Sequence, residues 1–256
     1  MSLVPSLTEL LVALGLAPFL VGRTGFCVHP KALLQDIPKI GGTKAVDEQA
    51  LLALAPTHLV VNKDENEWPL VERLSKSIPH IMVTHPLTAL DNLALFDQFG
   101  NEFAALPGVA QAHAMLNTQF SLELQKNRKL KAALTPQSVL YMIWKDPWMS
   151  IASNTYIADM LDTVGWINHC KISESLAETG ASRYPVLSEE QVLSSDADYI
   201  FLSSEPYRFR DKHVKALSAR ASAKSVLSVD GEMCSWYGPR AIMGLRYLRE
   251  LRLAQH

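Results

Sequence analysis

The sequence predicts an α/β fold of two lobes, each built on a mainly parallel sheet, joined by a single long backbone helix. Three observations carry this expectation. Residues 1–107 alternate short apolar runs with helical spacing, the rhythm of parallel βα units. Residues 135–256 repeat that rhythm. Between them, residues 109–133 hold apolar side chains at four-residue intervals, and no Gly/Ser-rich linker interrupts the chain. A chain of 256 residues is also long for one hydrophobic core. The expected division is an N-terminal α/β lobe over 1–107, a connecting helix over 108–134 and a C-terminal α/β lobe over 135–256.

In chain order, Leu3 and Val4 end a strand, and a helix opened by Ser6 or Thr8 presents Leu7, Leu10, Leu11 and Leu14 on one face until Gly15 stops it. FLVG (19–22) is apolar enough for a strand. Asp47 caps a helix through Leu51, Leu52 and Leu54 that ends before Pro56. HLVV (58–61) and HIMVTH (80–85) are strands with a helix over 69–77 between them. Helices over 88–106 and 109–133 break at Pro107-Gly108, and the second carries Ala112, Leu116, Phe120 and Leu124 on one face. At 1.5 Å per residue it runs roughly 38 Å. Its basic end, QKNRKLK, suits a helix C-terminus and reads as a solvated face. In the second half SVLYMIW (138–144), DYIFLS (198–203) and SVLSVD (225–230) are strands. Helices fall near 154–164, 188–195, 210–219 and 239–254.

Bulk properties remove several function classes. A net charge of −2 supplies no basic footprint for nucleic acid. No apolar run is long enough to span a membrane. Cys27, Cys170 and Cys234 are odd in number and form no CxxC pair, so neither a zinc knuckle nor a disulfide framework is indicated. The N-terminus does not read as a secretory signal. The protein is therefore periplasmic if a leader has been removed and cytoplasmic otherwise.

Parallel βα sheets take ligands beyond the C-terminal ends of their strands. The corresponding segments here are VPS (4–6), RTGFCVHP (23–30), GGTK (41–44), NKDENEW (62–68) and HP (85–86) in the first lobe. The second lobe offers WKDPWMS (144–150), SSEPYRF (203–209) and DGEMCSWYGPR (230–240). Every tryptophan except Trp166 falls in this set, which points to a cleft with aromatic walls. Cys27 and His29 fit a thiol–imidazole pair, two metal ligands or, more simply, a structural turn. GGTK lacks the GxxxxGK[ST] frame of a phosphate loop, so Lys44 reads as a surface lysine on a turn. Asp146 and Glu205 fit either an acid–base pair or the caps of following helices. Tyr184-Pro185 and Trp236-Tyr237 fit ligand platforms or lobe-edge packing equally. No GxSxG, HExxH or GxGxxG is present.

These motifs, in this order, resemble the helical-backbone metal receptor superfamily, the class III substrate-binding proteins of ABC importers for cobalamin, haem and ferric siderophores. SLVPSLTELL, GGTKAVDEQALLALAPTHLVV, the long central helix and YPVLSEEQVLSSDADYIFL carry the resemblance over essentially the whole chain. FCVHP, GGTK, NKDEN, DPWM, EPYRF and DGEMCSWYG place it closest to the cobalamin-binding-protein-like branch. The resemblance implies a ligand held between two lobes and no intrinsic cofactor. It assigns aromatic contacts to Trp148 and Tyr184. The family's first-lobe tryptophan falls near Lys63, five residues before Trp68, which leaves the chelate open among cobalamin, haem, siderophore or another. It also implies one glutamate on each lobe engaging arginines of a transporter: Glu190 in the second lobe, and Glu67 or Glu65 in the first.

Taken together, the expected ligand-binding set is Pro5, Ser6, Cys27, His29, Lys44, Trp68, Trp148, Tyr184, Tyr207 and Trp236. The expected function is non-enzymatic binding of a corrinoid or other metal chelate, delivered to an ABC transporter permease if the protein is exported. The alternatives are an intracellular corrinoid-binding relative without a transporter, and a metal-dependent enzyme using Cys27, His29 and Glu205.

Overall fold

A parallel pair needs a strand, a turn, a helix and a second strand in sequence, and residues 58–84 supply them. In the computed structural model, which describes residues 1–170 and 183–255, strand β1 (His58–Asn62) leads into the helix Trp68–Leu74 and then into β2 (His80–Thr84). The strands pair in parallel from His58↔His80 to Asn62↔Thr84. Leu59 and Val61 alternate inward and pack with Leu3, Leu51, Leu70, Val71 and Leu74. Single bridges add Ser2, Arg23 and Lys39 to this layer.

Two local expectations fail here, both at prolines. No strand forms over 19–22, because Pro18 has no N–H for a ladder and Ala17–Phe19 instead makes a short 3₁₀ turn. Phe19 and Val21 are exposed. The first helix, Pro5–Ala13, opens one residue before Ser6, with Pro5 at its first position, and neither Ser6 nor Thr8 caps it. Gly15, at φ +82°, follows its end as expected. Asp47 Oδ1 does accept the Ala50 N–H at 2.9 Å, capping the helix Glu48–Ala53.

The chain divides into two compact units. Unit 1 comprises residues 1–86, 90–120 and 237–240; unit 2 comprises 87–89, 121–236 and 241–256. The helix Val109–Ala133 therefore contributes residues 109–120 to unit 1 and 121–133 to unit 2.

Unit 2 is organised by β3 (Gln137–Trp144), β4 (Trp148–Ser150), β5 (Trp166–Asn168), β6 (Val186–Leu187), β7 (Tyr199–Ser203) and β8 (Ser225–Val229). The sheet runs β6-β4-β3-β7-β8, with β5 also paired to β3. β3, β5, β7 and β8 are parallel; β4 runs antiparallel to β3, and β6, antiparallel to β4, returns to the direction of β3. Leu140, Met142, Ile200 and Leu202 pack on one face.

Within unit 2, residues 121–133 are tied to the helix Pro239–Ala254 through polar groups. Asn127 is fully buried; its Nδ2 donates to the Leu245 carbonyl at 3.0 Å and its Oδ1 accepts from Arg249 Nη1 at 2.9 Å. Glu123, only 3% exposed, faces Lys126 at 2.9 Å, Arg246 at 3.1 Å and Arg249 at 2.7 Å. The solvated-face reading of QKNRKLK thus holds for Arg128 and Lys129 and fails at Asn127. Among the described residues, no helix is long and apolar enough to cross a membrane.

Candidate functional site

In unit 1 the end of β1 is held by side-chain amides. Asn62 Oδ1 accepts the Asp64 N–H at 2.8 Å, and Asn66 Oδ1 accepts the Asn62 N–H at 2.8 Å. Asn66 Nδ2 donates to the Thr43 carbonyl at 3.0 Å, fastening this turn to the GGTK loop. The charges that follow are sorted by this geometry. Asp64 Oδ2 lies 3.2 Å from His85 Nε2. Glu65 Oε1 accepts from the buried Tyr237 hydroxyl at 2.6 Å. Burial, and then the negative charge of Glu65, push the Tyr237 phenol well above its ordinary range, so it remains a donor. Glu67, preceding the helix at Trp68, is exposed, and its side chain makes no hydrogen bond or ion pair among the described residues. Trp68 is 48% exposed.

The remaining unit 1 candidates separate into support and surface. Cys27 is fully buried, taking the Thr8 hydroxyl on its sulfur at 3.0 Å, with Thr24 Oγ1 at 3.2 Å. The RTGFCVHP loop is pinned by Arg23, whose Nε donates to the Leu34 carbonyl and Nη1 to the Cys27 carbonyl, both at 2.9 Å. Arg23 is a structural residue that the sequence reading passed over. Ser6 is buried and Pro5 and His29 are half-buried, while Phe26 stands 61% exposed. Lys44 is exposed on a turn closed by Gly42 N–H to Ala45 carbonyl at 2.8 Å, which is the plainer of its two readings.

In unit 2 the aromatic assignment shifts. Trp148, expected to contact a ligand, stands on β4 with its ring packed into the core of unit 2, leaving it 8% exposed. It stacks on Phe209 at 5.9 Å and 10°, with Lys145 Nζ 5.3 Å from its centre. The open ring of this segment is Trp144, 39% exposed at the end of β3, which meets half-buried Tyr207 edge-on at 5.6 Å. Its strand-end position is the signal that could have singled it out. Tyr184 is half-buried.

Glu205 is a second organising carboxylate. Its Oε1 accepts from Trp236 Nε1 at 2.8 Å and Ser235 Oγ at 3.1 Å. Burial pushes its acidity down, that is, its pKa up, and these two neutral donors offset only part of that shift. Behind it, Tyr141 donates to Ser203 Oγ at 3.0 Å, which donates to the Glu205 carbonyl at 2.6 Å. Burial raises the nearby Cys234 thiol to about 12, so it stays protonated. A side chain at Gly231 would run into Glu205 and Ser203, which is why this turn carries glycine.

Neither Asp146 nor Glu205 caps a helix: Asp146 sits in the β3–β4 turn with Lys145 Nζ 3.0 Å away, and no helix follows Glu205 until Asp211. Of the residues named for the enzyme alternative, Cys27 and His29 belong to unit 1 and Glu205 to unit 2. Of the docking candidates, Glu65 is occupied by Tyr237, whereas Glu190 is exposed in the first turn of the helix Glu189–Leu193. Its neighbour Glu189 pairs with Arg220 at 2.7 Å.

Exposed rings and fixed polar groups beyond the C-terminal ends of parallel strands are the features of an α/β ligand-binding protein. The sequence model of the family described as "Periplasmic binding protein" matches residues 1–225, and the chain belongs to this family. It is 21% identical over 203 residues to the Vitamin B12-binding protein of Vibrio campbellii (strain ATCC BAA-1116), covering 79% of this chain and 69% of that one. Its fold matches the periplasmic vitamin B12 binding protein BtuF of Vibrio cholerae with a TM-score of 0.81 at 20% identity, over 99% of this chain and 96% of the other. The periplasmic heme-binding protein RhuT of Roseiflexus sp. RS-1 matches with a TM-score of 0.78 at 21% identity, over 99% and 95%.

Proposed function

We propose that this chain is a non-enzymatic substrate-binding protein that takes up a corrinoid or another metal chelate and delivers it to an ABC importer. The observation that carries this reading is the family match over residues 1–225. The names of its relatives, which bind vitamin B12 and heme, support the chemical class of ligand. Ligand contacts are assigned to the strand-end loops of each unit: Trp68 and Phe26 in unit 1, and Trp144, Tyr207 and Tyr184 in unit 2. Trp148 backs this surface by packing under Phe209. Stacked rings contribute about 0.5–1.5 kcal/mol each beyond the area they bury.

Spectroscopic titration with cobalamin, haem and a ferric siderophore side by side tests the reading. Saturable binding of one of them, weakened at least about tenfold (~1.4 kcal/mol) by W144A/Y207A, is the expected result. Failure to bind any of the three removes the chelate assignment.

Glu67 and Glu190 are proposed as the carboxylates that meet transporter arginines, because both are exposed and their side chains have no partner among the described residues. Reversing both to arginine should abolish transporter-coupled uptake and leave chelate affinity intact. Uptake that survives the double reversal would remove Glu67 and Glu190 as the docking carboxylates, whereas a protein that binds the chelate but supports no uptake in either form would favour the intracellular, transporter-free relative.

A further inference from the structure

At the opposite ends of β1 and β2 from the loops just described, each strand begins with a histidine. We propose that His58, His80 and Glu102, all in unit 1, form a binding site for a zinc-type divalent transition metal ion. The parallel register pairs His58 directly with His80, so both imidazoles leave the same face of the pair. Their rings stack at 4.5 Å with 12° between planes. Glu102 is the last residue of the helix Asp91–Glu102, and its Oε1 lies 3.0 Å from His58 Nε2. One ligand atom from each of the three residues lies within 4.8 Å of the other two.

That geometry is close to what a metal requires. Bonds of about 2.0–2.2 Å in tetrahedral arrangement place ligand atoms roughly 3.3 Å apart. The His58–Glu102 pair is already near this spacing. His80 is exposed, so its ring is free to turn towards the other two and close the remaining gap. His58 has the support a metal ligand needs: Thr57 Oγ1 lies 3.0 Å from its Nδ1 and Phe103 packs against its ring at 5.1 Å. Two imidazoles and a carboxylate suit zinc and its neighbours and leave a coordination position for water. A surface ion pair accounts for Glu102 beside His58. It does not account for a second imidazole stacked on the first.

Bound metal would clamp the starts of two strands to the end of one helix. Its signature is therefore stability as well as stoichiometry. The test titrates the metal-free full chain with zinc ion alone by calorimetry and repeats it with cobalt(II), whose visible spectrum reports tetrahedral coordination. The expected result is one equivalent bound and a higher Tm. H80A and E102Q should each weaken binding at least about tenfold, T57A should weaken it about 10-fold, and H58A/H80A should abolish it. His80 and Glu102 are exposed, so H80A and E102Q should keep the metal-free Tm and circular dichroism spectrum. Zinc bound with unchanged stoichiometry and affinity by H58A/H80A, or no binding by the parent protein, overturns the proposal.

Discussion

Glu123 and Glu205 are carboxylates of the same unit, both withdrawn from water, and they end with opposite acidities. Burial pushes both upwards. At Glu123 the Lys126 ammonium and the Arg249 and Arg246 guanidinium groups overcome it and hold the carboxyl at about 2. At Glu205 the donors are a hydroxyl and an indole, both neutral, and Glu232 and Asp230 add further negative charge, so the carboxyl stays above its ordinary range. The lesson is that hydrogen bonds replace lost water only in part, whereas opposite charges reverse the balance. The first arrangement holds the helix pair of unit 2 together. The second leaves a poised acid beside strand-end aromatics.

Breaking the charged arrangement should have the largest effect. E123Q leaves three cations facing a neutral amide and should cost about 3–5 kcal/mol in urea unfolding at pH 7. Because the folded pKa is depressed, this stabilisation is complete above the ordinary value near 4.5 and fades as pH falls through about 2. The gap between E123Q and the parent should narrow over that acidic window. A cost below about 1 kcal/mol would place Glu123 with ordinary exposed pairs and erase the contrast.

Y237F removes a neutral donor from a charged acceptor, Glu65, and should cost about 1.5–3 kcal/mol by the same measurement. An effect as large as that of E123Q would show that neutral donors count for as much as cations. D47A takes away an exposed carboxylate held by one backbone N–H and should cost about 1 kcal/mol.

E205Q should have the smallest effect, within about 0.5 kcal/mol of the parent at pH 7 or slightly stabilising, since glutamine Oε1 still accepts from Trp236 and Ser235. The sign follows from linkage. A carboxyl whose folded pKa is raised loses stability as pH climbs from its unfolded value through the folded one. Unfolding at stepped pH should therefore show E205Q gaining on the parent above pH 4.5. A parent that gains on E205Q instead would mean the ionised form is the better solvated one.

Elements with a long apolar period were legible in the sequence: Val109–Ala133 and the C-terminal helix Pro239–Ala254 fall where spacing placed them. The two- and three-residue strands β4, β5 and β6 were not, because a period cannot register in so few residues. The same blindness covered the burial of Trp148, which depends on the face of β4 it occupies and on its packing with Phe209. The segments that gather chemistry were visible as polar runs after apolar ones. Which members are surface and which are support was not: Cys27 and Glu65 are tied up by Thr8 and Tyr237, residues 19 and 172 positions away in the chain. The convergence of His58, His80 and Glu102 has the same origin, since register and helix placement are properties of the folded chain.

The return of residues 237–240 to unit 1 has a consequence for biosynthesis. Arg240 grips Glu9 through two bonds of 2.9 Å, and the Gly238 N–H fills Asn92 Oδ1 at 2.7 Å, an amide with no access to water. A ribosome adding about 5–20 residues per second reaches residue 237 roughly 6–23 s after residue 120. Throughout that interval the nascent N-terminal unit has Glu9 without its guanidinium and Asn92 without its peptide partner. It must wait, partly finished, until the chain has been made through Arg240, so unit 1 is begun before residues 121–236 and completed only after them.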